Sequence, residues 1–318
     1  MPLPITLNVK RFNPDSDQDS YIQEYQLDVA ESDTVLDSLI HIREEIDGTL
    51  TFRCSCRSAI CGSCAMRIDG KAGLACNTKI SDLVSGDKKS ITVEPAGNMP
   101  VIKDLVVEFE VFWKKIRQVS PWLKHFAMPP KGEHIVPNEN MLHLAGVMNC
   151  IMCGACVSDC TSLEVNSEFI GPAALAKSYR FLADPRDEAN ENRLIELSQP
   201  GGIWDCTRCM QCVEVCPKEV DQMGRIMSSK EMAIEMGITA NTGARHANVF
   251  ASSVHHSGWL DELKLPVLTH GIFNFKEMFK LAFLGLRAFK VGKVPPVIHK
   301  KRPNVTKIRQ IFEKVGHK

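Results

Sequence analysis

The chain has 318 residues, of which 44% are hydrophobic and 24% charged, and this composition indicates a soluble globular protein and excludes general disorder. The length exceeds what one ordinary core holds and predicts two domains with an extension. The zero net charge hides an asymmetry, because residues 286–318 carry ten Lys and Arg against the single acid Glu313, which predicts contact with a membrane surface or an acidic partner.

The thirteen cysteines are interpreted as metal ligands. Residues 2–12 alternate apolar and polar side chains as a strand does, so no secretory signal is expected after Met1. No apolar run reaches the roughly 18 residues that a transmembrane helix requires. Without a signal peptide a disulfide framework is disfavoured, because the cytosol keeps thiols reduced, and the odd count argues against complete pairing.

The first hundred residues predict a small mixed α/β domain. Its elements are, in chain order, a strand through Ile5, Leu7 and Val9, a strand through Tyr25, Leu27 and Val29, a helix capped by Asp33 or Thr34, a hairpin turn at Asp69-Gly70, and a late strand through Ile91 and Val93. Alternating apolar residues place one face of each strand against a core.

Four cysteines of this first domain share the Cys-x4-Cys-x2-Cys…Cys spacing of plant-type 2Fe-2S ferredoxins: Cys56, Cys61, Cys64 and Cys76. Three thiolates come from one loop, and the fourth is expected on the far strand of the hairpin. Gly62 lets the backbone wrap closely and point amide groups at sulfide. A zinc site is the alternative, but zinc sites usually pair two Cys-x2-Cys knuckles. Cys54 lies outside the pattern and is interpreted as a buried or bystander thiol.

The chain then divides into a linker, a helical domain and an extension. The prolines that predict the linker between residues 98 and 149 are Pro100, Pro121, Pro129, Pro130 and Pro137. From Leu142 to about Gly237 the pattern is helical, and residues 172–197 predict helices packed between two cysteine runs. The predicted domains are therefore residues 1–105, 106–237 and 238–318.

Two runs in the helical domain repeat the spacing Cys-x2-Cys-x2-Cys-x3-Cys: Cys150, Cys153, Cys156 and Cys160, then Cys206, Cys209, Cys212 and Cys216. In this bacterial-ferredoxin motif the fourth cysteine of a run ligates the other cluster. The motif therefore predicts one 4Fe-4S cluster on Cys150, Cys153, Cys156 and Cys216, and a second on Cys160, Cys206, Cys209 and Cys212. The alternative, a pair of zinc knuckles, would show only Cys-x2-Cys pairs.

This layout resembles the iron-sulfur subunit of succinate dehydrogenases and fumarate reductases over about residues 1–235. The residues that carry the resemblance are Phe52-Arg-Cys-Ser-Cys-Arg57, Cys61-Gly-Ser-Cys-Ala-Met66 and Gly73-Leu-Ala-Cys76. The resemblance implies an α+β fold, in which a β-grasp 2Fe-2S ferredoxin-like domain precedes an all-α bacterial-ferredoxin-like domain with two cubane clusters and a helical C-terminal extension.

The family also implies partners and a role. An FAD-containing flavoprotein partner interconverts succinate and fumarate, as in the tricarboxylic acid cycle or in anaerobic respiration, and a membrane-side partner reacts with quinone. The chain would carry electrons between the two and would have no substrate site of its own.

Two departures from the family pattern stand at the last cluster. Most members have an aliphatic residue where this chain has Cys209 and therefore hold a 3Fe-4S cluster, so that the fourth thiolate predicts a 4Fe-4S cluster here. The alternative is a buried cysteine beside a 3Fe-4S cluster. Thr161, Ser162 and Leu163 follow Cys160 where the classical family has a proline and then a tryptophan pair, and Thr207 stands where many members have a histidine, which puts the usual quinone-pocket contribution in doubt.

The extension suggests a different membrane-side partner. Residues 246–259, 292–295 and 308–312 are similar to the tail of the heterodisulfide reductase C subunit, which docks onto a cysteine-rich B subunit. Such a tail is typical of a non-classical type of succinate or fumarate enzyme. Residues 273–290 plot as a basic amphipathic helix, which lies either in a membrane surface or against a partner or the body. Surface or packing roles are expected for His255, His256 and His270.

Three functions are compatible with these motifs. The first is the electron-transfer subunit of a succinate:quinone or quinol:fumarate oxidoreductase. The second is the same subunit of a thiol-driven fumarate reductase, and the third is a metal-stabilised interaction protein. No nucleic acid is expected as a partner. The predicted location is peripheral, on the cytoplasmic face of the inner membrane, or on the periplasmic face if a twin-arginine flavoprotein carries the chain across.

Overall fold

The computed structural model describes residues 3–86, 88–127, 131–296 and 300–316. Pro129 and Pro130 of the predicted linker lie outside the described residues, as do Met1 and Pro2 before the first strand. The chain forms two compact units, Met1–Ser229 and Lys230–Lys318. The finer boundaries at residues 105 and 237 stay a prediction.

A five-stranded sheet with the order β2-β1-β5-β3-β4 forms the first part of the chain. Its strands are β1 (Leu3–Arg11), β2 (Tyr21–Val29), β3 (Ala65–Ile68), β4 (Lys71–Leu74) and β5 (Ser90–Glu94). β1 pairs with β2 antiparallel and with β5 parallel, and β3 pairs with both β4 and β5 antiparallel. The predicted strands and the hairpin turn at Asp69 and Gly70, both with positive φ, are confirmed.

One face of this sheet packs on helix α1 (Val35–His41), which continues as the π-helical turn Ile42–Ile46, and on α2 (Ile80–Leu83). Thr34 is the cap of α1, because its hydroxyl accepts from the Asp37 amide while the Asp37 carboxylate accepts from the Thr34 amide. Ile5, Leu7 and Val9 on the inner face of β1 are buried, and they pack in the same core as Leu36 and its neighbours.

A buried arginine ties β1 to the loops beneath the sheet. The Arg11 guanidinium donates to Asp104 Oδ1 at 2.9 Å and to Asp47 Oδ2 and the Tyr25 hydroxyl at 2.6 Å each. Burial alone would lower the pKa of Arg11, but the hydrogen bonds to Asp104 and Asp47 outweigh it and raise the pKa. The charge is therefore fully paired inside the domain.

The remainder of the chain is helical apart from one hairpin. The elements are β6 (Val101–Lys103), β7 (Val106–Val107), α3 (Glu110–Gln118), α4 (Asn138–Leu142), α5 (Ala155–Ser158), α6 (Thr161–Val165), α7 (Pro172–Leu182), α8 (Asn190–Leu197), α9 (Gln211–Glu214), α10 (Gln222–Glu235), α11 (Thr242–Ser257), α12 (Lys264–His270), α13 (Phe275–Lys290) and α14 (Val305–Gly316). The helices predicted at residues 172–197 and 273–290 are confirmed as α7, α8 and α13.

The stretch predicted as a linker contains ordered structure that proline content did not indicate. α3 lies within it, and the segment after α3 is held by Arg193 of α8, a buried residue. The Arg193 guanidinium bonds both Asp187 carboxylate oxygens and donates to the carbonyls of Val119, Ser120 and Trp122. The Val119 carbonyl would otherwise be buried without a partner, which costs about 1–3 kcal/mol, whereas those of Ser120 and Trp122 are only part-buried.

A second arginine joins the β3–β4 hairpin to the start of the helical part. Arg67 Nε donates to Asp159 Oδ1 at 2.8 Å, and the Ala72 amide of β4 donates to Asp159 Oδ2 at 2.7 Å. Arg67 Nη2 also donates to the Ser158 carbonyl at 2.7 Å. These bonds place α5 directly against the hairpin.

The second unit is a small group of helices. α14 packs on α11, and Arg309 of α14 donates to the carbonyls of His255 and His256 at the end of α11. The Arg302 guanidinium lies 3.9 Å from the ring centre of Trp259. Among the described residues of the whole chain, no helix is long and apolar enough to cross a membrane.

Replacing Arg11 by Gln tests the buried charge network. The change leaves the buried Asp104 carboxylate without its cation, so we expect the free energy of unfolding of the sheet domain to fall by about 3–5 kcal/mol. Lys10→Gln is the matched control, because Lys10 pairs with Glu94 at the surface and should cost about 1 kcal/mol or less. Urea unfolding followed by near-UV circular dichroism measures both, and equal effects would contradict the prediction.

Candidate metal centres

The loop from Cys56 to Cys64 points backbone amides at sulfur. The amides of Ser58, Ile60 and Cys61 lie 3.4, 3.4 and 3.3 Å from Cys56 Sγ, and the Ala59 amide lies 3.4 Å from Cys76 Sγ. Arg57, Ala59 and Gly62 have positive φ, which turns successive N–H groups to the inside of the loop. The loop is built to stabilise thiolates.

Cys76 lies in the 3-10 turn Ala75–Asn77, two residues beyond the end of β4. Cys76 was expected on the strand itself, and this expectation is wrong by two residues. The Ala75 amide donates to the Cys64 carbonyl, so hairpin pairing reaches this point and the chain then turns toward the loop. Cys54, outside the ligand set, is partly buried against the core of the sheet domain, and its bystander role stays a prediction.

The pKa values of two thiols of this set shift in opposite directions. Hydrogen bonds from Ser63 and from the Cys56 and Ser63 amides lower the pKa of the exposed Cys61 to about 6. Burial raises the pKa of Cys64 to about 12, with added contributions from neighbouring Cys76 and Cys61. Because metal binding requires thiolates, iron must displace the Cys64 proton while Cys61 is ionised near neutral pH.

The two cysteine runs have the same backbone as well as the same spacing. A 3-10 turn leads into each first cysteine, Val147–Asn149 before Cys150 and Ile203–Asp205 before Cys206. The residues on either side of each second cysteine have positive φ: Met152 and Gly154 in the first run, Arg208 and Met210 in the second. A four-residue helix, α5 or α9, then carries each third cysteine.

The first run and the end of the second meet in one place. Four thiols, from both runs, line a single cavity: Cys150, Cys153, Cys156 and Cys216. Burial, together with the neighbouring thiolates of Cys150 and Cys216, raises the pKa of Cys153 to about 11. The structure therefore brings together the four cysteines of the predicted crosswise set.

The second crosswise set is also assembled. Burial, together with the thiolates of Cys206, Cys160 and Cys209, raises the pKa of Cys212 to about 12. Burial likewise raises the pKa of Cys160, with Cys209 and Cys206 as its charged neighbours. Each thiol of the set thus lies within electrostatic range of others in the same set.

Cys209 is the exposed member of this set. Its partial burial raises the pKa, but hydrogen bonds from the Thr161 hydroxyl, the Gln211 amide and the Thr207 hydroxyl lower it overall. The Ser162 and Thr207 hydroxyls are 3.3 Å apart beside it. Sequence reasoning noted these hydroxyl residues only as departures from a pattern, and their position around Cys209 was not predicted.

The three ligand sets adjoin one another within the first unit. A Cβ atom added to Gly62 would lie 2.7 Å from Cys153 Cβ, so the first loop touches the second set directly. Cys212 of the third set is among the charged neighbours that raise the pKa of Cys156 in the second set. The second ligand set therefore lies next to both the first set and the third set.

The donor sets suit clusters in both chemistry and spacing. Across residues 3–86, 88–127, 131–296 and 300–316, no three His, Cys, Asp or Glu side chains are close enough to hold one metal ion. In a 4Fe-4S cluster each thiolate binds a different iron, and in a 2Fe-2S cluster two thiolates bind each iron, so the four ligands stand further apart than around a single zinc ion, where each sulfur is about 2.3 Å from the metal. Four-thiolate sets with inward amides fit that requirement.

Comparison with known proteins identifies matching families and relatives. Residues 6–114 match the family described as a 2Fe-2S iron-sulfur cluster binding domain, and residues 146–220 match the 4Fe-4S dicluster domain. The succinate dehydrogenase iron-sulfur subunit of Paracoccus denitrificans is 39% identical over 230 residues, which cover 72% of this chain and 87% of that protein.

Two further relatives have similar coverage. The mitochondrial succinate dehydrogenase [ubiquinone] iron-sulfur subunit 1 of Oryza sativa subsp. japonica is 37% identical over 235 residues, 72% of this chain and 82% of that protein. The fumarate reductase iron-sulfur subunit of Mycobacterium tuberculosis is 37% identical over 228 residues, with 71% and 91% covered.

A solved structure shares the fold. A chain of the Mycobacterium smegmatis Sdh1 complex in the apo form matches with a TM-score of 0.65, covering 74% of this chain and 98% of that chain. The sequence identity is 24%, so this match shows the fold alone. The α+β architecture predicted from the sequence is confirmed.

Replacing Gly62 by Ala tests the contact between the first two sets. The new methyl would stand within 2.7 Å of Cys153 Cβ, so we expect loss of at least half of the bound iron and sulfide. Gly70→Ala is the matched control, because Gly70 has a similar φ but nothing within 4 Å of the added methyl, and it should cost only about 1 kcal/mol of stability. Iron and labile sulfide assays, with absorption spectra, measure both variants. Equal cluster content in the two would contradict the prediction.

Proposed function

The chain belongs to the family of iron-sulfur subunits of succinate dehydrogenases and fumarate reductases, and from this membership we infer that it is the electron-transfer subunit of such an oxidoreductase. It carries one 2Fe-2S binding domain and one 4Fe-4S dicluster domain. The substrate site for succinate and fumarate belongs to a flavoprotein partner with FAD. A metal-stabilised interaction protein without redox work does not fit this family.

We propose a ligand set for each cluster. The 2Fe-2S cluster is assigned to Cys56, Cys61, Cys64 and Cys76. The first 4Fe-4S cluster is assigned to Cys150, Cys153, Cys156 and Cys216, and the last cluster to Cys160, Cys206, Cys209 and Cys212. Iron-sulfur clusters, when bound, accept and release single electrons at potentials that depend on hydrogen bonds and burial. The amides aimed at Cys56 and Cys76 and the hydroxyls beside Cys209 are the chain's means of setting those potentials.

The observation that carries the proposal is the close approach of successive ligand sets. Gly62 touches Cys153, and Cys156 lies within electrostatic range of Cys212. Electron transfer through protein is efficient only over short distances, and a row of adjoining sets meets that demand. A zinc-binding or scaffolding role would not require the sets to touch in order.

Cys209 is the fourth ligand of the last cluster in this proposal. Its thiolate is favoured by hydrogen bonds from Thr161, Gln211 and Thr207, although partial burial opposes ionisation. Its backbone matches that of Cys153, with a positive φ on both sides, and Cys153 is the second cysteine of the other run. A ligand role for one argues for a ligand role for the other, so we assign 4Fe-4S here in place of 3Fe-4S.

The membrane-side partner is proposed to be a cysteine-rich subunit of the heterodisulfide reductase B kind. The Thr161 and Thr207 hydroxyls bond to Cys209, the Ser162 hydroxyl lies 3.3 Å from that of Thr207, and none of these three residues supplies an aromatic ring for a quinone pocket. The tail from residue 238 resembles that of a C subunit, which docks onto such a partner. Quinone reacts on the partner in this arrangement.

A thiol-driven fumarate reductase is the second candidate, and the same small hydroxyls favour it. An exposed cluster edge without a quinone pocket can exchange electrons with a partner that oxidises thiols as readily as with one that oxidises quinol. The identity of the neighbouring subunit separates the two candidates.

The location that we propose is peripheral at the inner membrane. We propose the cytoplasmic face, or the periplasmic face if a flavoprotein with a twin-arginine signal carries the folded chain. Relatives of this chain are subunits of succinate dehydrogenases and fumarate reductases, which supports attachment to a larger complex.

Replacing Cys209 by Ala tests the fourth ligand. Removal of this thiolate should convert the last cluster to 3Fe-4S, so the air-oxidised variant should show the sharp electron paramagnetic resonance of that cluster at full occupancy, and the unmodified chain should not. Cys54→Ala is the matched control and should leave both spectrum and iron content unchanged, because Cys54 lies outside the proposed ligand sets and packs against the core of the sheet domain. A 3Fe-4S signal of full occupancy in the unmodified chain would refute the assignment.

Activity of the native complex tests the function. We expect the purified complex to oxidise succinate or reduce fumarate with quinone analogues, and mass spectrometry to identify a flavoprotein and a cysteine-rich subunit. Fumarate reduction that proceeds with dithiols but not with quinols would establish the second candidate. Turnover of neither acid with any donor would overturn the functional inference.

A further inference from the structure

Helix α13 exposes an apolar stripe to solvent. Four phenylalanines of the helix are largely exposed: Phe275 by 80%, Phe279 by 77%, Phe283 by 70% and Phe289 by 74%. At 100° per residue they fall on one side of the helix, together with the exposed Leu286. The opposite side, which includes Met278 and Leu281, is half-buried. The stripe is thus the outward side of a helix that already has a packed side.

A row of cations borders this stripe. The same rotation places Lys290, Lys276, Arg287 and Lys280 beside the phenylalanines, and all four are exposed. The acid of the helix, Glu277, lies toward the packed side and pairs with Lys280 at 2.7 Å. The exposed surface of the helix therefore combines aromatic side chains with positive charge. The basic residues that follow, Lys293, Lys300 and Lys301, are exposed as well.

This combination fits an anionic lipid surface better than a protein. Single soluble chains rarely expose a large contiguous apolar patch without a binding role. Buried protein interfaces are depleted of lysine, whereas helices that lie in a membrane surface carry Lys and Arg beside Phe and Leu. The 16 residues of α13 span about 24 Å, less than the roughly 30 Å of a bilayer core, so the helix fits along the surface.

We propose that α13 lies in the surface of a bilayer that contains anionic phospholipids. The phenylalanine stripe enters the boundary between head groups and acyl chains, and the lysines extend along it to the phosphates. The occupant of the stripe is the lipid, and the attraction is the match between basic residues and anionic head groups. The proposal deepens the peripheral location proposed above, and it rests on that location.

Vesicle flotation of the full chain tests the proposal without electron transfer. The chain should float with vesicles that contain phosphatidylglycerol and should float poorly with vesicles of phosphatidylcholine alone. High salt should weaken the binding, because surface charge is then screened. Replacing both Lys276 and Lys290 by Gln should lower partitioning to the anionic vesicles roughly 30-fold, since each lysine near such a surface contributes roughly fivefold.

Two single substitutions on α13 form a matched pair. Phe279→Asp places a charge in the stripe and should lower partitioning by at least about tenfold, because it removes an apolar side chain from the interface. Leu284→Asp introduces the same charge at an exposed position of the same helix outside the stripe, and it should change partitioning less than about threefold. Unchanged circular dichroism and cluster absorption verify that both variants fold.

Three results would overturn the proposal. The first is an unmodified chain that does not float with anionic vesicles. The second is Phe279→Asp floating as well as Leu284→Asp. The third is loss of a protein subunit from the purified complex on Phe279→Asp while vesicle binding is unaffected, since the stripe would then be a protein interface. Succinate and fumarate turnover is measured separately, so failure here and failure of the proposed function are distinguishable.

Discussion

The relay depends on one buried carboxylate, that of Asp159. Its two oxygens accept from Arg67 on β3 and from the Ala72 amide on β4, so a single side chain joins the hairpin to the helical part of the first unit. Asp159 directly precedes Cys160 and follows α5, which carries Cys156. Fixing Asp159 therefore sets the distance between the hairpin that holds Cys64 and the two ligand sets behind it. Without this connection each cluster loop could still form, but fewer bonds would hold the hairpin against the second ligand set.

The sequence predicted local structure well where one short segment contains all the determinants. β1 was predictable because alternation buries Ile5, Leu7 and Val9 on one face, and α1 because Thr34 and Asp37 satisfy each other's backbone amides. The helix α3 was missed because only Phe112 and Ile116 on it are buried, and nearby prolines indicated a linker. The segment after α3 is stabilised by Arg193, more than 70 residues away, and no local pattern reports such a partner.

The candidate ligands were predictable for a similar reason, because the spacing of thiols within a loop is itself a local property. The environment of each thiol was not predictable from its segment alone. Met152, Arg208 and Met210 adopt positive φ, which such residues rarely adopt, so their conformation reflects the demands of the cysteine loops and not their own preference. The hydroxyls around Cys209 come from α6 and from the second run, residues that lie far apart in the chain, and only the fold shows that they meet.

The cysteines of the three ligand sets differ in their exposure to solvent. Cys61 in the first set and Cys209 in the last are exposed, whereas every cysteine of the middle set is buried or half-buried. An electron carrier must expose a cluster edge wherever it meets a partner and must shield the centres between, because an exposed intermediate centre would also exchange electrons with solvent oxidants. With the ligand sets proposed above, we infer that the two exposed thiols mark the two ends at which partners dock. The Ser63 hydroxyl and the amides that lower the pKa of Cys61, and the hydroxyls that lower that of Cys209, stabilise negative charge at those same ends, where water could otherwise protonate a ligand.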